Sequence, residues 1–327
     1  MIGRICGTGS YIPPKILSND DLAGMVDTND EWIRERTGVK RRHVAKEETT
    51  SFMAAEAAKR AMENGNVVPE EIDLILVASA TPDTIFPSLA CLVQKEIGAV
   101  NAAGFDMQAA CTGFVFGYQT AQAYIAAGIY KTVLVIGSET LSSMVDWTDR
   151  GTCILFGDGA GAVILKAEEG TAYPQAAHSD GMKGEALTCK GRFTYEFLRF
   201  LSNPEKTDAL KDTYIGMDGR AVFQFAVRSV PAVIGEVLEK AKLPVEAIDW
   251  FVLHQANKRI VEAVAKRLKT NIEKFPMNLQ EYGNTSSASV PILLDEMNQK
   301  GMLKRGQKII LAGFGAGLSY GASILEW

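Results

Sequence analysis

The sequence predicts an α/β fold built from two similar halves that share a site at their junction. Apolar residues recur with helical spacing over 50–64, and the apolar run at 72–79 that follows is typical of a buried strand. Helix and strand alternate again further along the chain, as in α/β proteins. Residues 245–254 align with residues 69–78 without a gap. A repeat this long indicates duplication of a half-chain and not a solenoid.

Composition and charge exclude several classes of protein. Of the 327 residues, 47% are hydrophobic, which fits a large core and two domain-sized halves. The formal net charge of −5 argues against a general nucleic-acid binder. The five cysteines include no CxxC pair, so we expect no disulfide framework, no zinc site and a cytoplasmic location. No apolar run reaches the roughly 20 residues of a membrane span, so no membrane association is expected.

The N-terminal half is assigned to residues 1–170. Strands are predicted at 2–12, 72–79, 103–107, 131–137 and 162–165, and helices from near Asp20 and at 30–36, 50–64, 88–97 and 112–127. The polar stretch 139–152 is predicted to be a loop, and the basic run 40–43 is expected on the surface. Glycines at 157–161 precede a strand and not a helix, so they predict a tight turn and not a phosphate-binding loop.

The C-terminal half is assigned to residues 171–327. It begins with an irregular segment, about 171–218, which is predicted to cap one face. Helices are then predicted at 221–242, after His254 and at 290–299, with strands ending at His254 and spanning 308–313. Two similar halves imply a pseudo-twofold molecule whose site lies at the junction.

Cys111 joins a predicted strand to a predicted helix, and the candidate site is organised around it. The helix has small side chains and few charges, so it is expected to be packed on all sides. The N–H groups and dipole at its first turn would favour a thiolate and lower the pKa of Cys111. The alternative is a structural cysteine, since free cysteines are mostly buried. The structural interpretation is kept for the others, which lack such a junction: Cys6, Cys91, Cys153 and Cys189.

His254 and Asn284 are the candidate partners of Cys111. His254 ends a buried strand, where ligands meet an open α/β sheet, although a hydrogen-bonded core histidine is the alternative. Asn284 precedes a helix and either caps it or donates its amide to an oxygen that becomes negative. The glycine-rich segment 313–317 is predicted to be a flexible turn that directs a backbone N–H inward. A thiolate with two donors makes acyl transfer plausible.

Five segments carry a family resemblance. They are 110–114 (ACTGF), 149–152 (DRGT), 157–161 (GDGAG), 254–257 (HQAN) and 283–286 (GNTS). Their order and separations resemble those of β-ketoacyl-acyl-carrier-protein synthase III, a family of thiolase-fold condensing enzymes. The similarity spans nearly the whole chain, and the set is specific although no single segment is decisive.

The resemblance implies a homodimer with five αβαβα layers in each subunit that starts fatty-acid synthesis. Cys111 attacks an acyl-CoA thioester, and the backbone N–H groups of Cys111 and Ala316 bind the oxyanion. After coenzyme A leaves, His254 and Asn284 bind the thioester carbonyl of malonyl-acyl-carrier-protein and stabilise the enolate formed as carbon dioxide departs. That carbanion attacks the acyl-Cys111 thioester. No metal or redox cofactor is implied.

The resemblance also implies roles in substrate binding. Trp32 and Arg150 sandwich the adenine of coenzyme A, and Arg36 approaches its phosphates. The pantetheine tunnel is lined by Gly219, Phe223 and Asn257.

Three further roles follow from the same resemblance. Phe86 reaches from the partner subunit to floor the acyl pocket, and its bulk indicates a short starter. Ala316 stands where some relatives have glycine, so its N–H keeps its role only if the backbone there accepts a Cβ. Docking of the carrier protein is assigned to Arg259, Lys266 and Arg267, whose positive charge suits an acidic partner.

Three alternative functions remain open from the sequence. The first is a sister condensing enzyme or acyltransferase of secondary metabolism. The second is a Cys-His thioester hydrolase, which needs water to reach the acyl-enzyme. The third is an inactive binding module, against which the intact set of Cys111, His254 and Asn284 argues.

Overall fold

The computed structural model describes residues 1–190 and 213–327. In this part of the chain, one sheet has five strands. In spatial order they are β1 (Ile2–Tyr11), β7 (Gly159–Glu168), β6 (Thr132–Glu139), β4 (Leu74–Ala78) and β5 (Ala103–Met107). β4 is parallel to both β5 and β6, whereas β7 runs antiparallel to β6 and to β1. This sheet belongs to the N-terminal half.

The second sheet of the described residues repeats this arrangement in the C-terminal half. Its strands, in spatial order, are β11 (Trp250–Leu253), β12 (Lys308–Gly315), β13 (Ser319–Glu326) and β8 (Gln175–Ser179). β11 is parallel to β12, and the other pairs are antiparallel. The order matches β4, β6, β7 and β1 of the first sheet. The sequence duplication predicted the first three of these equivalences, and the match of β8 with β1 emerges only from the structure.

Two short strand pairs and a set of helices complete the described chain. β2 (Ile16–Ser18) pairs with β3 (Arg41–His43), and β9 (Leu187–Thr188) pairs with β10 (Gly216–Met217). The helices are α1 (Asn19–Ala23), α2 (Asp30–Thr37), α3 (Thr50–Gly65), α4 (Leu89–Ile97), α5 (Gly113–Ala126), α6 (Gly219–Ala241), α7 (Lys258–Arg267), α8 (Leu279–Tyr282) and α9 (Ser289–Gln299).

The apolar contacts arrange these elements in five layers. Side chains alternate across each strand, so Leu74 and Leu76 of β4 face one layer while Ile75 and Val77 face another. The inner faces of both sheets pack on α5 and α9, which form the middle layer. The outer face of the first sheet packs on α3 and α4, and that of the second on α6 and α7. The predicted α/β fold with αβαβα layers is therefore confirmed.

One aspartate in each half performs the same structural task. Asp73 precedes β4, and its carboxylate accepts hydrogen bonds from the N–H groups of Lys131 (2.8 Å) and Thr132 (2.9 Å) at the start of β6. Asp249 precedes β11 and accepts from the N–H of Lys308 at 2.8 Å, at the start of β12. Each carboxylate fixes the register of two parallel strands. These are the aspartates that the sequence alignment paired.

Helix α6 is long and apolar enough to cross a membrane by length and composition. Its apolar side chains, among them Val230, Val233 and Ile234, are buried against the second sheet. Burial of this kind is also expected for the core helix of a globular protein.

Several predicted boundaries are wrong. The segment predicted as an irregular cap contains β8, which forms the edge of the second sheet; only Ala176 of this strand is buried, so it lacks an alternating pattern. Residues 191–212 of that segment lie outside the described residues. The loop predicted from residue 139 begins later, because Glu139 is the buried last residue of β6 and a 3-10 helix follows at Leu141–Met144.

Two glycine-rich segments also differ from prediction. Gly159 and Gly161 lie within β7 and not in a turn. Glycine is needed there because a Cβ on Gly161 would lie 2.6 Å from the backbone nitrogen of Ile292 in α9. Residues 313–315 likewise belong to β12, so the turn is confined to 316–318.

Arg42 contradicts the prediction of an exposed basic run. Its side chain is fully buried and donates to the carbonyl oxygens of Leu17 and Ile154 and to Oδ1 of Asn19. Its apolar surroundings lower the pKa of Arg42 to about 10. These bonds connect the paired strands β2 and β3 to the chain that precedes β7.

Candidate active site

Cys111 lies in a strained single turn between β5 and α5. The turn is the 3-10 helix Ala110–Thr112, and Ala110 has a φ of 45°, in the left-handed region that residues with a Cβ rarely occupy. Strain of this kind persists only where surrounding packing enforces it. It places Cys111 at the first turn of a buried helix, with only 8% of its surface exposed.

The predicted lowering of the Cys111 pKa is wrong for the free protein. Burial raises the pKa of Cys111 to about 12, although a hydrogen bond from the Ser286 side chain opposes this. Removal of the thiolate from water therefore outweighs the helix terminus. We expect a neutral thiol until a ligand enters the site.

The second half contains a copy of the strained turn. Ser286 has a φ of 49° and starts the 3-10 helix Ser286–Ala288, after which α9 begins at Ser289. In the first half, Ala110 likewise starts a 3-10 helix that is followed directly by α5. Cys111 and Ser287 are each the second residue of their 3-10 helix, so their positions are equivalent. Asn284 lies three residues before Ser287. The duplication thus extends to local backbone geometry.

His254 follows β11 directly and is 2% exposed. Its Nδ1 lies 2.7 Å from Oγ of Ser289, and Oγ also accepts the N–H of Gln255 at 3.3 Å. We assign the hydrogen of the neutral ring to Nε2, because the Ser289 hydroxyl can then donate to Nδ1 while its oxygen accepts the Gln255 N–H. Phe314 packs edge-on against the ring at 5.1 Å. Burial lowers the pKa of His254 to about 3, so the imidazole is neutral.

Asn284 does not cap α9, which begins five residues later. Its Oδ1 accepts the N–H of Ser286 at 2.8 Å, which fixes the plane of the amide. Its backbone is fixed on both sides, by Leu155 at 2.8 Å and by Gly157 at 3.0 Å. With Oδ1 engaged, the Nδ2 group is the side of the amide available as a donor.

A single cavity of about 480 Å³ is lined by Cys111, His254 and Asn284. The same cavity extends past the pantetheine and docking candidates to Arg36; its wall includes Arg36, Gly219, Phe223, Asn257 and Arg259. Residues up to 173 positions apart in sequence therefore meet around one volume. A ligand in this cavity contacts both halves of the chain.

The backbone around Ala316 can accept a side chain. Ala316 is not among the residues with positive φ, so its backbone accepts a Cβ without strain. This was the condition under which its N–H could keep the predicted role. The carbonyl oxygen of Ala316 accepts the Ser319 hydroxyl at 3.0 Å, and that hydroxyl lies 2.9 Å from Oγ1 of Thr112. Gly315 must be glycine, because a Cβ there would lie 2.9 Å from Cβ of Cys111.

Trp32, Arg36 and Arg150 form one cluster near the cavity mouth. The guanidinium groups of Arg36 and Arg150 lie 5.7 and 5.2 Å from the centre of the Trp32 ring. Arg150 also donates to the carbonyl oxygen of Asp27 at 2.8 Å. A planar ligand between Trp32 and Arg150 needs more room than 5.2 Å, so Arg150 has to move when such a ligand binds.

The N-terminal end of α7 forms one side of the mouth. Asn257 caps the helix by accepting the N–H of Arg259 at 2.9 Å, and it donates to the carbonyl oxygen of Arg36 at 3.0 Å. The guanidinium of Arg259 lies 5.5 Å from the centre of the Phe223 ring. Lys266 and Arg267 are exposed in the last turn, and Lys266 shares a helix face with Arg259 because they are seven residues apart.

Phe86 is not among the residues that line the cavity of its own chain. It is 84% exposed, and its neighbour Ile85 is 66% exposed. Two adjacent exposed apolar side chains on one loop are typical of a contact with another molecule. The role of Phe86 in the pocket of a partner subunit stays a prediction.

Some residues of the site and its surroundings had no signal in the sequence. Ser289 and Phe314 contact His254 but lie far from it along the chain, and Leu187 and Met217 line the cavity from the segment predicted as a cap. Only the fold brings these residues together. Among residues 1–190 and 213–327, no group of three or more His, Cys, Asp or Glu could hold a metal ion.

The buried neutral imidazole makes stability depend on pH. The pKa of His254 is about 3 when folded and near 6.5 when unfolded, so between these values the unfolded state binds more protons. We expect this stabilisation to be complete above pH 6.5 and to fall by up to about 1.4 kcal/mol per pH unit below it. Between pH 7 and 4.5, the free energy of unfolding measured with urea should fall less steeply for His254→Ala than for the wild type. If the two proteins lost stability at the same rate with falling pH, the prediction would be wrong.

Comparisons with known proteins identify the family. Family models for 3-oxoacyl-[acyl-carrier-protein] synthase III match residues 105–181, and those for its C-terminal part match residues 238–327. The β-ketoacyl-[acyl-carrier-protein] synthase III of Clostridium acetobutylicum is 50% identical over 326 residues, which cover 99% of this chain and 98% of that protein. The chain belongs to the β-ketoacyl-acyl-carrier-protein synthase III family. It is therefore an acyltransferase of the condensing type.

Solved structures of this family share the fold. The 3-oxoacyl-[acyl-carrier-protein] synthase III of Aquifex aeolicus is 44% identical with a TM-score of 0.91, over 99% of this chain and 100% of that one. The priming β-ketosynthase of the R1128 polyketide biosynthetic pathway is 35% identical with a TM-score of 0.92, over 99% and 96%. The predicted thiolase-like fold agrees with both.

Proposed function

We propose that this chain joins a short acyl-CoA starter to malonyl-acyl-carrier-protein and so begins fatty-acid synthesis. The observation that carries the proposal is the single cavity, where Cys111, His254 and Asn284 meet and which continues to Arg36 and Arg259. One tunnel thus leads from a mouth with positive charge to a nucleophile and two hydrogen-bond donors.

In the first step, Cys111 attacks the acyl-CoA thioester. The Cys111 proton passes to the sulfur of the departing coenzyme A, so a neutral thiol with a raised pKa is converted to a thioester without a net charge. The N–H groups of Cys111 and Ala316 bind the oxyanion of the tetrahedral intermediate. Trp32 and Arg150 bind the adenine, Arg36 the phosphates, and Gly219, Phe223 and Asn257 contact the pantetheine.

In the second step, Nε2–H of His254 and the Nδ2 group of Asn284 donate to the malonyl thioester oxygen. Charge develops on that oxygen as the carboxylate leaves as carbon dioxide, so donors already in place beside it lower the barrier selectively. The bond from Ser289 to Nδ1 orients the ring for this role. The enolate carbon then attacks the acyl-Cys111 carbonyl, and the bond from that carbonyl carbon to the sulfur breaks. The released Cys111 thiolate takes a proton from water, and the 3-ketoacyl product leaves on the carrier protein. These steps require no metal or redox cofactor.

We also propose that the protein is a cytoplasmic homodimer. The exposed pair of Ile85 and Phe86 supports the dimer, in which Phe86 closes the partner's acyl pocket and limits starter length. The absence of a CxxC pair and of paired cysteines among the five free thiols is consistent with the cytoplasm.

One assay tests the proposed function. The protein is mixed with acetyl-CoA and malonyl-acyl-carrier-protein, and both carbon dioxide and the 3-ketoacyl product are measured. Coenzyme A and free acetate without condensation would indicate a thioester hydrolase, and no turnover would indicate a binding module. A series of starter acyl-CoAs of increasing length and branching then separates fatty-acid initiation from the priming role of a polyketide ketosynthase.

Charge reversal at Arg259 tests the docking surface. We expect Arg259→Glu to raise KM for malonyl-acyl-carrier-protein about tenfold or more, since an attractive contact with an acidic partner becomes repulsive. The Cys111 acylation rate with acetyl-CoA should change by less than about threefold. Lys95→Glu, an exposed substitution on α4 away from the mouth, is the matched control. Equal losses with both substrates would contradict a docking role for Arg259.

A further inference from the structure

Glu139 is a fully buried carboxyl group, and a negative charge on it would raise the pKa of Cys111 further. Glu139 is the last residue of β6. Its Oε2 accepts the N–H of Ala80 at 2.9 Å and the hydroxyl of Thr81 at 2.8 Å, with the hydroxyl of Ser79 at 3.4 Å. Its hydrogen-bond partners among the described residues are hydroxyls and one N–H, and none of them is a cation.

The other carboxyl oxygen shares one hydroxyl with a carbonyl group. Oγ of Ser287 lies 2.8 Å from the Ala78 carbonyl oxygen and also 2.8 Å from Oε1 of Glu139. A hydroxyl carries one hydrogen and a carbonyl oxygen carries none, so two contacts need a second hydrogen. If Glu139 were ionised, one of these contacts would join two oxygens with no hydrogen between them. Only a hydrogen on Oε1 makes both contacts hydrogen bonds.

A second buried carboxyl group, that of Asp158, needs no hydrogen of its own to satisfy its contacts. Asp158 accepts the N–H groups of Ala45 (2.7 Å) and Ser142 (2.9 Å) and the Ser142 hydroxyl (2.6 Å). Every one of these contacts already has its own hydrogen, so Asp158 fits a carboxylate. At Glu139 the division is different, because Oε2 only accepts and Oε1 needs to donate. Burial raises the pKa of both Glu139 and Asp158, and hydrogen bonds oppose the rise at each, so the number of available hydrogens is what distinguishes the two groups.

We propose that Glu139 is a protonated, uncharged acid in the resting protein. It is a positioning residue, and because it is neutral it adds no negative charge beside Cys111. Its hydrogen fixes Ser287, and with it the turn equivalent to the one that carries Cys111. The titratable group that faces Glu139 is Cys111, while hydroxyls of Ser79 and Thr81 face it after β4 and those of Ser286 and Ser287 before α9. The benefit to catalysis rests on the proposed role of Cys111 as nucleophile.

Infrared difference spectroscopy tests the proton directly. The spectrum of the wild type minus that of Glu139→Gln should contain the carbonyl stretch of a protonated carboxylic acid at pH 7. Glu281→Gln, which removes a carboxylate paired with Arg41 at 2.6 Å, should show carboxylate bands instead. Carboxylate bands in the Glu139 difference would overturn the proposal. If Glu139→Gln does not fold, Ser287→Ala is used instead. The band of the protonated acid should then appear in both the wild type and Ser287→Ala, at a shifted frequency in the variant. Its absence from both spectra would overturn the proposal.

Alkylation of Cys111 tests the effect on the thiol without any substrate. Iodoacetamide modification at Cys111 is followed by mass spectrometry between pH 6 and 9. At pH 7 the rates of the wild type and Glu139→Gln should agree within about threefold, because both side chains are neutral. A rise of about tenfold, which corresponds to one pKa unit at Cys111, would show that Glu139 is charged. A failed condensation assay with these results intact would count against the proposed function alone.

Discussion

Replacing Cys111 with alanine is expected to remove covalent acylation and to lower the rate of condensation by about 10³-fold or more. The physical reason is that the cavity holds no second thiol: of the five cysteines, all in the described residues, only Cys111 lines it. The backbone donors and the tunnel would survive, so the variant should still bind acyl-CoA.

Intact-protein mass spectrometry after incubation with acetyl-CoA measures this result. The wild type should gain one acetyl group at Cys111, and Cys111→Ala should gain none. Cys91→Ala, which removes an exposed thiol of α4, is the control and should acylate like the wild type. Undiminished acylation of Cys111→Ala would exclude Cys111 as the nucleophile.

Replacing His254 with alanine should separate the two half-reactions. Acylation of Cys111 should change by less than about fivefold, since the thiol proton leaves with coenzyme A. Decarboxylation of malonyl-acyl-carrier-protein should fall by about 10²–10³-fold, because a donor to the enolate oxygen is lost. Carbon dioxide release from pre-acylated enzyme measures the second step.

A second histidine provides the control for this variant. His178 of β8 lies 2.7 Å from Glu236 at the exposed edge of the second sheet, so His178→Ala should leave both half-reactions unchanged. If His254→Ala decarboxylated at the wild-type rate, the assigned role would be wrong. If it lost acylation instead, His254 would act as a base toward Cys111.

The fold was predictable because its two halves carry the same local pattern. The alignment of 69–78 with 245–254 predicted the equivalence of β4 and β11, and Asp73 and Asp249 make matching bonds in the structure. β8 was not predicted, because a short edge strand with one buried residue has no periodicity. The sequence predicts a turn at Gly161 because the close approach of α9, which requires glycine there, comes from residues distant in sequence.

The site was less predictable than the fold. Cys111, His254 and Asn284 could be selected because reactive side chains at element ends are visible in a sequence. The pKa of Cys111 could not be predicted in this way, because it depends on how completely the folded chain excludes water from the thiol. Ser289 and Glu139 escaped notice because their roles depend on contacts between elements that the sequence separates widely.

The paired left-handed turns at Ala110 and Ser286 have a consequence for how this chain came to be reactive. Both halves present the same rare backbone shape, one followed by cysteine and the other by serine. The side chains at the two equivalent positions differ in a single atom, sulfur in one and oxygen in the other. The two halves thus share the backbone geometry of the turn. They differ in the side-chain atom that follows it, and the half with the softer, more polarisable sulfur carries the nucleophile.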